Sequence, residues 1–161
     1  MIRAVTENRS LAGVRNAIIS LAYAMFLGAC GSPEAGPEEQ VRQWVSLLQA
    51  TAEAKERREL VDMISPAYVD SRGNDRGDIE TLLRLYFLRQ HSVTLLMSIE
   101  ELRVYGDSAA EVELTVGMTG TNDGVFGFSA DVYRFQLELE RDAGDWLLIS
   151  ARWGELGKEP H

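Results

Sequence analysis

Asp131 shares one face of a strand-like pattern with Tyr133, Phe135, Leu137 and Leu139. Arg134, Gln136, Glu138 and Glu140 take the other face. A carboxylate among apolar neighbours has a raised pKa and can take a proton as a general base. Tyr68, Tyr86 or Tyr133 could supply the hydroxyl that steadies the charge developing on a substrate. No second acid stands at a matching place, so no titratable pair divides acid from base. Asp131 also lies near the start of its strand. That position equally suits a solvated carboxylate, or one paired with Arg134 or Arg152. His91 closes the third helical segment, where it is either a base or a complement to the helix dipole. Trp44, Tyr68, Tyr86, Met97, Met118, Phe135 and Trp153 are the candidates for an apolar ligand pocket, and such residues also simply fill cores. Arg152 either faces solvent or clamps an acidic ligand at the mouth.

Several chemistries find no support. His91 and His161 are far apart, and the one cysteine is Cys30, so no metal-ligand cluster is expected. Asn122-Asp123-Gly124 carries only a fragment of a calcium loop and reads as a turn. No glycine-lysine phosphate loop and no nucleophile elbow is present, and no cofactor is expected. The net charge is −9, with no basic stripe, which argues against nucleic acid as a partner.

The elements that would position these residues are legible. Pro37 opens a helix with Glu38 and Glu39 in its first turn, and Val41, Trp44, Val45, Leu48 and Ala52 form its apolar face. Lys55 to Arg58 reads as a solvated corner. Leu60 to Ile64 makes a shorter helix that Pro66 stops, and Tyr68-Val69-Asp70 is extended. Asp75 caps a third helix with Asp78 at its third position, and Ile79, Leu82, Leu83 and Tyr86 form the expected buried stripe. Four strands follow. In the first, the apolar phase slips between Ile99 and Leu102, which predicts a β-bulge near Glu100-Glu101. Gly120 to Gly127 is a long hairpin loop, and Asp142 to Asp145 a tight turn.

The start of the chain has its own logic. Arg3, Arg9 and Arg15 precede the apolar run Ala17 to Gly28, which is too short to cross ~30 Å of hydrocarbon as a helix. The run ends in Leu27-Gly28-Ala29-Cys30, which resembles a bacterial lipoprotein lipobox. That resemblance implies a signal peptide over 1–29, a lipidated Cys30, and a tether over 30–36. Gly31 after the cysteine implies sorting to the outer membrane, facing the periplasm. A lone cysteine forms no disulfide within the chain.

Residues 37–156 form the expected globular domain, with a short tail over 157–161. Three helices followed by four antiparallel strands, the first bulged, resemble the nuclear transport factor 2-like (SnoaL-like) fold. Closer echoes are Leu-x-x-Met-Ile-Ser-x-x-Tyr at 60–68 and Asp-Trp-Leu-Leu-Ile-x-x-x-Trp at 145–153. The resemblance implies an α+β fold: three N-terminal helices packed on a strongly bent antiparallel sheet that forms a cone-shaped open barrel. The fold hosts isomerases, dehydratases, hydrolases, cyclases and pure binding modules, so it does not fix a function. In its ketosteroid isomerase branch an Asp serves as base, the role that would fall to Asp131. In its scytalone dehydratase branch a His does, the role that would fall to His91. Sheets of this fold often dimerise, here through the face carrying Arg134, Gln136, Glu138 and Glu140.

The sequence therefore favours a lipid-anchored periplasmic domain that binds a small apolar molecule or a protein partner without catalysis. The alternative is an isomerase or dehydratase-type enzyme with Asp131 as base.

Overall fold

The computed structural model describes residues 35–121 and 128–155. The leader, Cys30, most of the tether, the Asn122-Asp123-Gly124 turn, Leu156 and the tail with His161 lie outside the described residues. Helices α1 (Pro37–Glu53), α2 (Arg57–Asp62) and α3 (Arg76–Arg89) precede strands β1 (Ser92–Tyr105), β2 (Ala109–Thr121), β3 (Phe128–Asp142) and β4 (Asp145–Glu155). The strands form one antiparallel sheet in the order β1-β2-β3-β4. The architecture is the α+β arrangement expected.

Strand alternation builds the core. Val112, Leu114 and Val116 of β2 stand opposite Leu137, Phe135 and Tyr133 of β3 and share the concave face. Val41, Trp44 and Val45 of α1 are buried in the same cluster. Leu114, Leu139, Val41 and Val112 are the largest side chains closed off completely.

Two irregularities bend the sheet. Ile99 pairs with Leu114 and Glu101 with Glu113, which leaves Glu100 as the extra residue, where the slip in apolar phase placed it. The second bulge was not foreseen. Glu138 pairs with Ser150 and Leu139 with Leu148, so Ile149 is extra on β4.

Each sheet edge is met in part by another element. On β1, the Leu95 amide donates to Glu53 Oε1 at 2.7 Å, and its carbonyl accepts from Gln49 Nε2 at 2.9 Å. On β4, the 63–71 segment runs alongside as a strap: Ser65 N–H donates to the Leu148 carbonyl, Val69 to Ile149 and Ser71 to Ala151. An uncovered edge would present unpaired amides to another chain.

The strap is closed by Asp70. It is buried, and its carboxylate accepts from the Arg72 and Asn74 amides at 2.8 Å each and from Asn74 Nδ2 at 2.7 Å. Burial alone would raise the Asp70 pKa. The bonds from Asn74 and Arg72, with the Arg72 charge, outweigh that and hold it below its ordinary value.

The corner at Lys55 to Arg58 divides differently from the sequence expectation. Lys55 sits at φ 59°, in the left-handed region, and α2 begins already at Arg57. The turn between β3 and β4 has Ala143 at φ 49° and Gly144 at φ 104°. Two positive φ values in succession match the twist of a two-residue hairpin, and only Gly144 takes its value without steric cost.

Helix α3 departs most from expectation. Its capping box forms: the Asp78 amide donates to Asp75 Oδ1 at 3.0 Å, and the Asp75 amide to Asp78 Oδ2 at 3.2 Å. Yet none of its residues is fully buried. Of the expected stripe, Ile79, Leu83 and Tyr86 are half-buried, but Leu82 is 50% exposed. The reason is that leucines ring the helix at 82, 83, 85 and 88, so two arcs are apolar and only one turns inward.

Candidate functional site: an apolar cavity under the third helix

Between the three helices and the concave sheet lies an open cavity of about 260 Å³. Trp44 and Leu48 come from α1, and Met63, Ile64 and Tyr68 from α2 and the strap. Ile79 and Leu83 come from α3, and Leu95, Met97, Leu114, Val116, Met118, Phe135, Leu137, Leu148 and Trp153 from the sheet. The space exists because α3 packs on α2, through Arg57–Glu80 and Arg76–Asp62 ion pairs, instead of settling onto the strands. An empty apolar cavity of ~150 Å³ is already enough to bind benzene.

Six of the seven expected pocket residues meet here: Trp44, Tyr68, Met97, Met118, Phe135 and Trp153. Tyr86 does not line the cavity. It stands further along α3, where the helix nears the rim. Sequence reasoning missed Leu48, Ile79, Leu83 and Leu148, among others. Their signal was available, since each lies on the same helix arc or strand face as a residue that was named. What was lacking was any way to tell a residue that borders a space from one that fills it.

The wall is chemically uniform. Among the described residues its side chains with a polar atom are Tyr68 and Trp44, and both are buried. Burial, and then the charge of Asp70, push the Tyr68 hydroxyl well above the usual phenol range, so it stays protonated. The Trp44 N–H has no acceptor among the described residues and is sealed from the cavity space as well as from solvent. A ligand inside therefore meets carbon and sulfur almost everywhere. Among the described residues, no carboxylate, histidine or amine lines the cavity.

The titratable candidates sit elsewhere. Asp131 pairs in register with Met118, so its side chain is on the concave face as expected, but it is exposed and outside the cavity lining. Asp131 lies nearer the start of β3 than Phe135 and Leu137, the β3 residues that line the cavity. Tyr133, half-buried, packs on Phe135 with ring centroids 6.3 Å apart. Burial raises the Tyr86 pKa, and the charges of Asp131 and Tyr133 raise it further. Tyr86, Asp131 and Tyr133 are thus electrostatic neighbours at the rim. From there an aromatic ladder runs along the mouth. Phe135 stacks on Trp153 at 6.2 Å, and the Arg72 guanidinium lies 4.6 Å over the Trp153 ring.

Arg134 and Arg152 are not partners for Asp131. Strand alternation puts both on the convex face, where Arg134 pairs with Glu113 at 3.3 Å and Arg152 stands opposite Gln136. Arg152 therefore cannot clamp a ligand at the mouth. His91 lies just beyond the end of α3, exposed, and does not line the cavity. Among the described residues, no group of His, Cys, Asp or Glu converges to hold a metal ion, and no helix is long and apolar enough to cross a membrane. Near the β1–β2 turn the convex face is polar, with Arg103 bridging Glu101 at 2.6 Å and Glu111 at 3.8 Å.

No protein-family model and no curated protein sequence matches the chain. Solved structures do. A candidate calcium/calmodulin dependent protein kinase II association domain from Xanthomonas campestris superposes with a TM-score of 0.65 at 18% identity, over 79% of this chain and 93% of that one. A ketosteroid isomerase-like protein from Erwinia carotovora gives 0.62 at 11% identity, over 75% and 97%. A candidate dehydratase from the nuclear transport factor 2-like family of Streptomyces avermitilis gives 0.64 at 13%, over 74% and 97%. Identities this low speak to architecture alone. The helices, the bulged meander, the cavity and these superpositions agree that the chain has the nuclear transport factor 2-like fold.

Proposed function

We propose that the chain is a lipid-anchored periplasmic binding domain that holds a small apolar molecule in its cone. The observation that carries the reading is the cavity: large enough for a ligand, open, and lined among the described residues by no carboxylate, histidine or amine. The lipobox-like segment ending at Cys30 supports the anchor and the address. Such a wall binds by area and not by direction. Each buried CH₂ contributes ~0.8 kcal/mol, about fourfold in affinity.

A homologous series of alkyl alcohols tests this on the full chain carrying Cys30→Ser. Each added methylene should tighten binding about fourfold until the cavity is full, and Met97→Trp should abolish the trend. Affinity independent of chain length would sink the reading. The anchor has a separate test. Cys30→Ser should release the protein from the membrane fraction, and unchanged fractionation would count against lipidation.

The grouping of Tyr86, Asp131 and Tyr133 at the rim favours a second reading. There, an isomerase or dehydratase-type enzyme would use Asp131 as base and Tyr86 as the hydrogen-bond donor, with the apolar part of the substrate inside the cone. Asp131→Asn separates the two. A binder keeps its alkyl affinity, whereas an enzyme loses turnover while keeping the fold.

A further inference from the structure

Tyr68 is the exception to the uniformity of the cavity wall. It lines the cavity and is 3% exposed, whereas Val69 beside it is 55% exposed. The extended strap thus turns the phenol inward and the valine out. A buried tyrosine hydroxyl ordinarily has a hydrogen-bond partner. Among the described residues the Tyr68 hydroxyl has none. The carboxylate of nearby Asp70 is already taken by three bonds from Arg72 and Asn74. The Trp44 N–H also lacks a partner, but it is sealed, and the Tyr68 hydroxyl is not. The domain therefore keeps one open hydrogen-bonding group inside an apolar space.

Water is a poor occupant of that position. A buried water needs two to four polar partners. Of the lining side chains described, only Tyr68 offers one within reach. A water held so loosely is displaced with a gain in affinity.

We propose that the occupant of the cone is an uncharged apolar molecule with one aprotic oxygen, a carbonyl or an ether, and that this oxygen accepts a hydrogen bond from Tyr68. This rests on the cone being a binding site, and it adds the polar group that the bound molecule carries. Tyr68 holds its proton, because burial and the charge of Asp70 both oppose the phenolate. It has one O–H to give. A carbonyl or ether accepts it and brings no donor of its own. An alcohol brings a second O–H, and among the described residues the wall has no second acceptor side chain, since an indole only donates. One of the two protons would then stay unpaired, at a cost. A carboxylate meets no cation among the lining residues and feels the negative charge of Asp70. Arg72 lies at the mouth, over the Trp153 ring and against the Trp153 carbonyl, away from the interior.

Four naphthalene derivatives of similar size test this on the full chain carrying Cys30→Ser, with and without Tyr68→Phe. They are methyl naphthyl ketone, naphthyl ethanol, naphthoate, and isopropenylnaphthalene, in which a methylene replaces the ketone oxygen. Tyr68→Phe should weaken binding of the ketone about fivefold and leave the alkene unchanged. Unchanged alkene affinity also shows that the variant keeps its cavity. The infrared carbonyl band of the bound ketone should lie at lower frequency with Tyr68 than with phenylalanine. The ketone should bind more tightly than naphthyl ethanol, and naphthoate should bind most weakly. Equal losses for ketone and alkene, an unmoved carbonyl band, or naphthoate binding as tightly as the ketone would overturn the assignment while leaving the cone a binding site. If none of the four binds when Tyr68 is present, the binding reading itself falls, and this one with it.

Discussion

Helices α1 and α3 solve the same problem in opposite ways. α1 has no side-chain cap at its N-terminus, only Gly36 followed by Pro37, and is held by burial of Val41, Trp44 and Val45. α3 has a complete capping box and ion pairs to α2, yet buries no residue fully. One helix is fixed along its side. The other is tied at its start by the cap and at its end by Lys55, whose ammonium donates to the Gln90 carbonyl at 2.7 Å, while Ile79, Tyr86 and Phe87 are only partly buried against the core. A helix held mainly at its ends leaves room beneath it, and that room is the cavity. Stability and ligand capacity are therefore assigned to different parts of one small domain.

The sharpest way to break this contrast is to truncate one leucine on each side. Leu139→Ala, in the closed core beneath the sheet, should cost about 3 kcal/mol in urea unfolding. Leu88→Ala on α3 should change stability by less than ~0.5 kcal/mol. Similar costs would mean that α3 is packed after all.

Next in size is the strap. Asp70→Ala leaves the Arg72 and Asn74 donors without their acceptor and should cost about 2 kcal/mol. The Asp70 pKa is lowered on folding, so its contribution is present above the unfolded carboxylate value of ~3.9 and is lost as pH falls through the lower folded value. Acid titration of the wild type should show that loss, and Asp70→Ala should lack it.

Asp75→Ala removes the capping box and should cost about 1 kcal/mol, seen first as faster amide exchange in α3 with α1 unchanged. Equal acceleration in both helices would mean that α3 does not open independently. The smallest effect runs the other way. Ala143→Asn relieves a residue held at φ 49° and should add ~0.5–1 kcal/mol to the packed layer without touching the cavity.

The contrast also explains what could be read from the sequence. The bulge at Glu100 was legible because alternation on both sides gives a phase that can slip. The bulge at Ile149 was not, because Trp146 to Ile149 is apolar at every position and has no phase to lose. Periodicity found the apolar residues of α3 but could not choose between two leucine arcs, since that choice depends on which arc meets another element. Asp131 was placed on the correct strand face, opposite Met118. Its exposure was not readable, because that depends on which elements close over its end of β3 and not on the strand's own alternation. The pocket residues were mostly identified by type, while the space itself follows from the stance of α3, which leaves no mark on residue spacing.

The meander sets a timetable for folding. Each strand pairs with the next one along the chain, and the β1–β2 and β3–β4 hairpins close through short turns. The strap is different. Ser65 and Leu148, which it joins, are far apart in sequence, and bringing them together carries a larger entropic cost. A chain emerging from its N-terminus delivers α1, α2 and the strap long before β4 exists to receive them. The last register to lock is thus the one that seals the β4 edge. Until then the strap's amides are open, and a chain cut short before β4 would remain in that state.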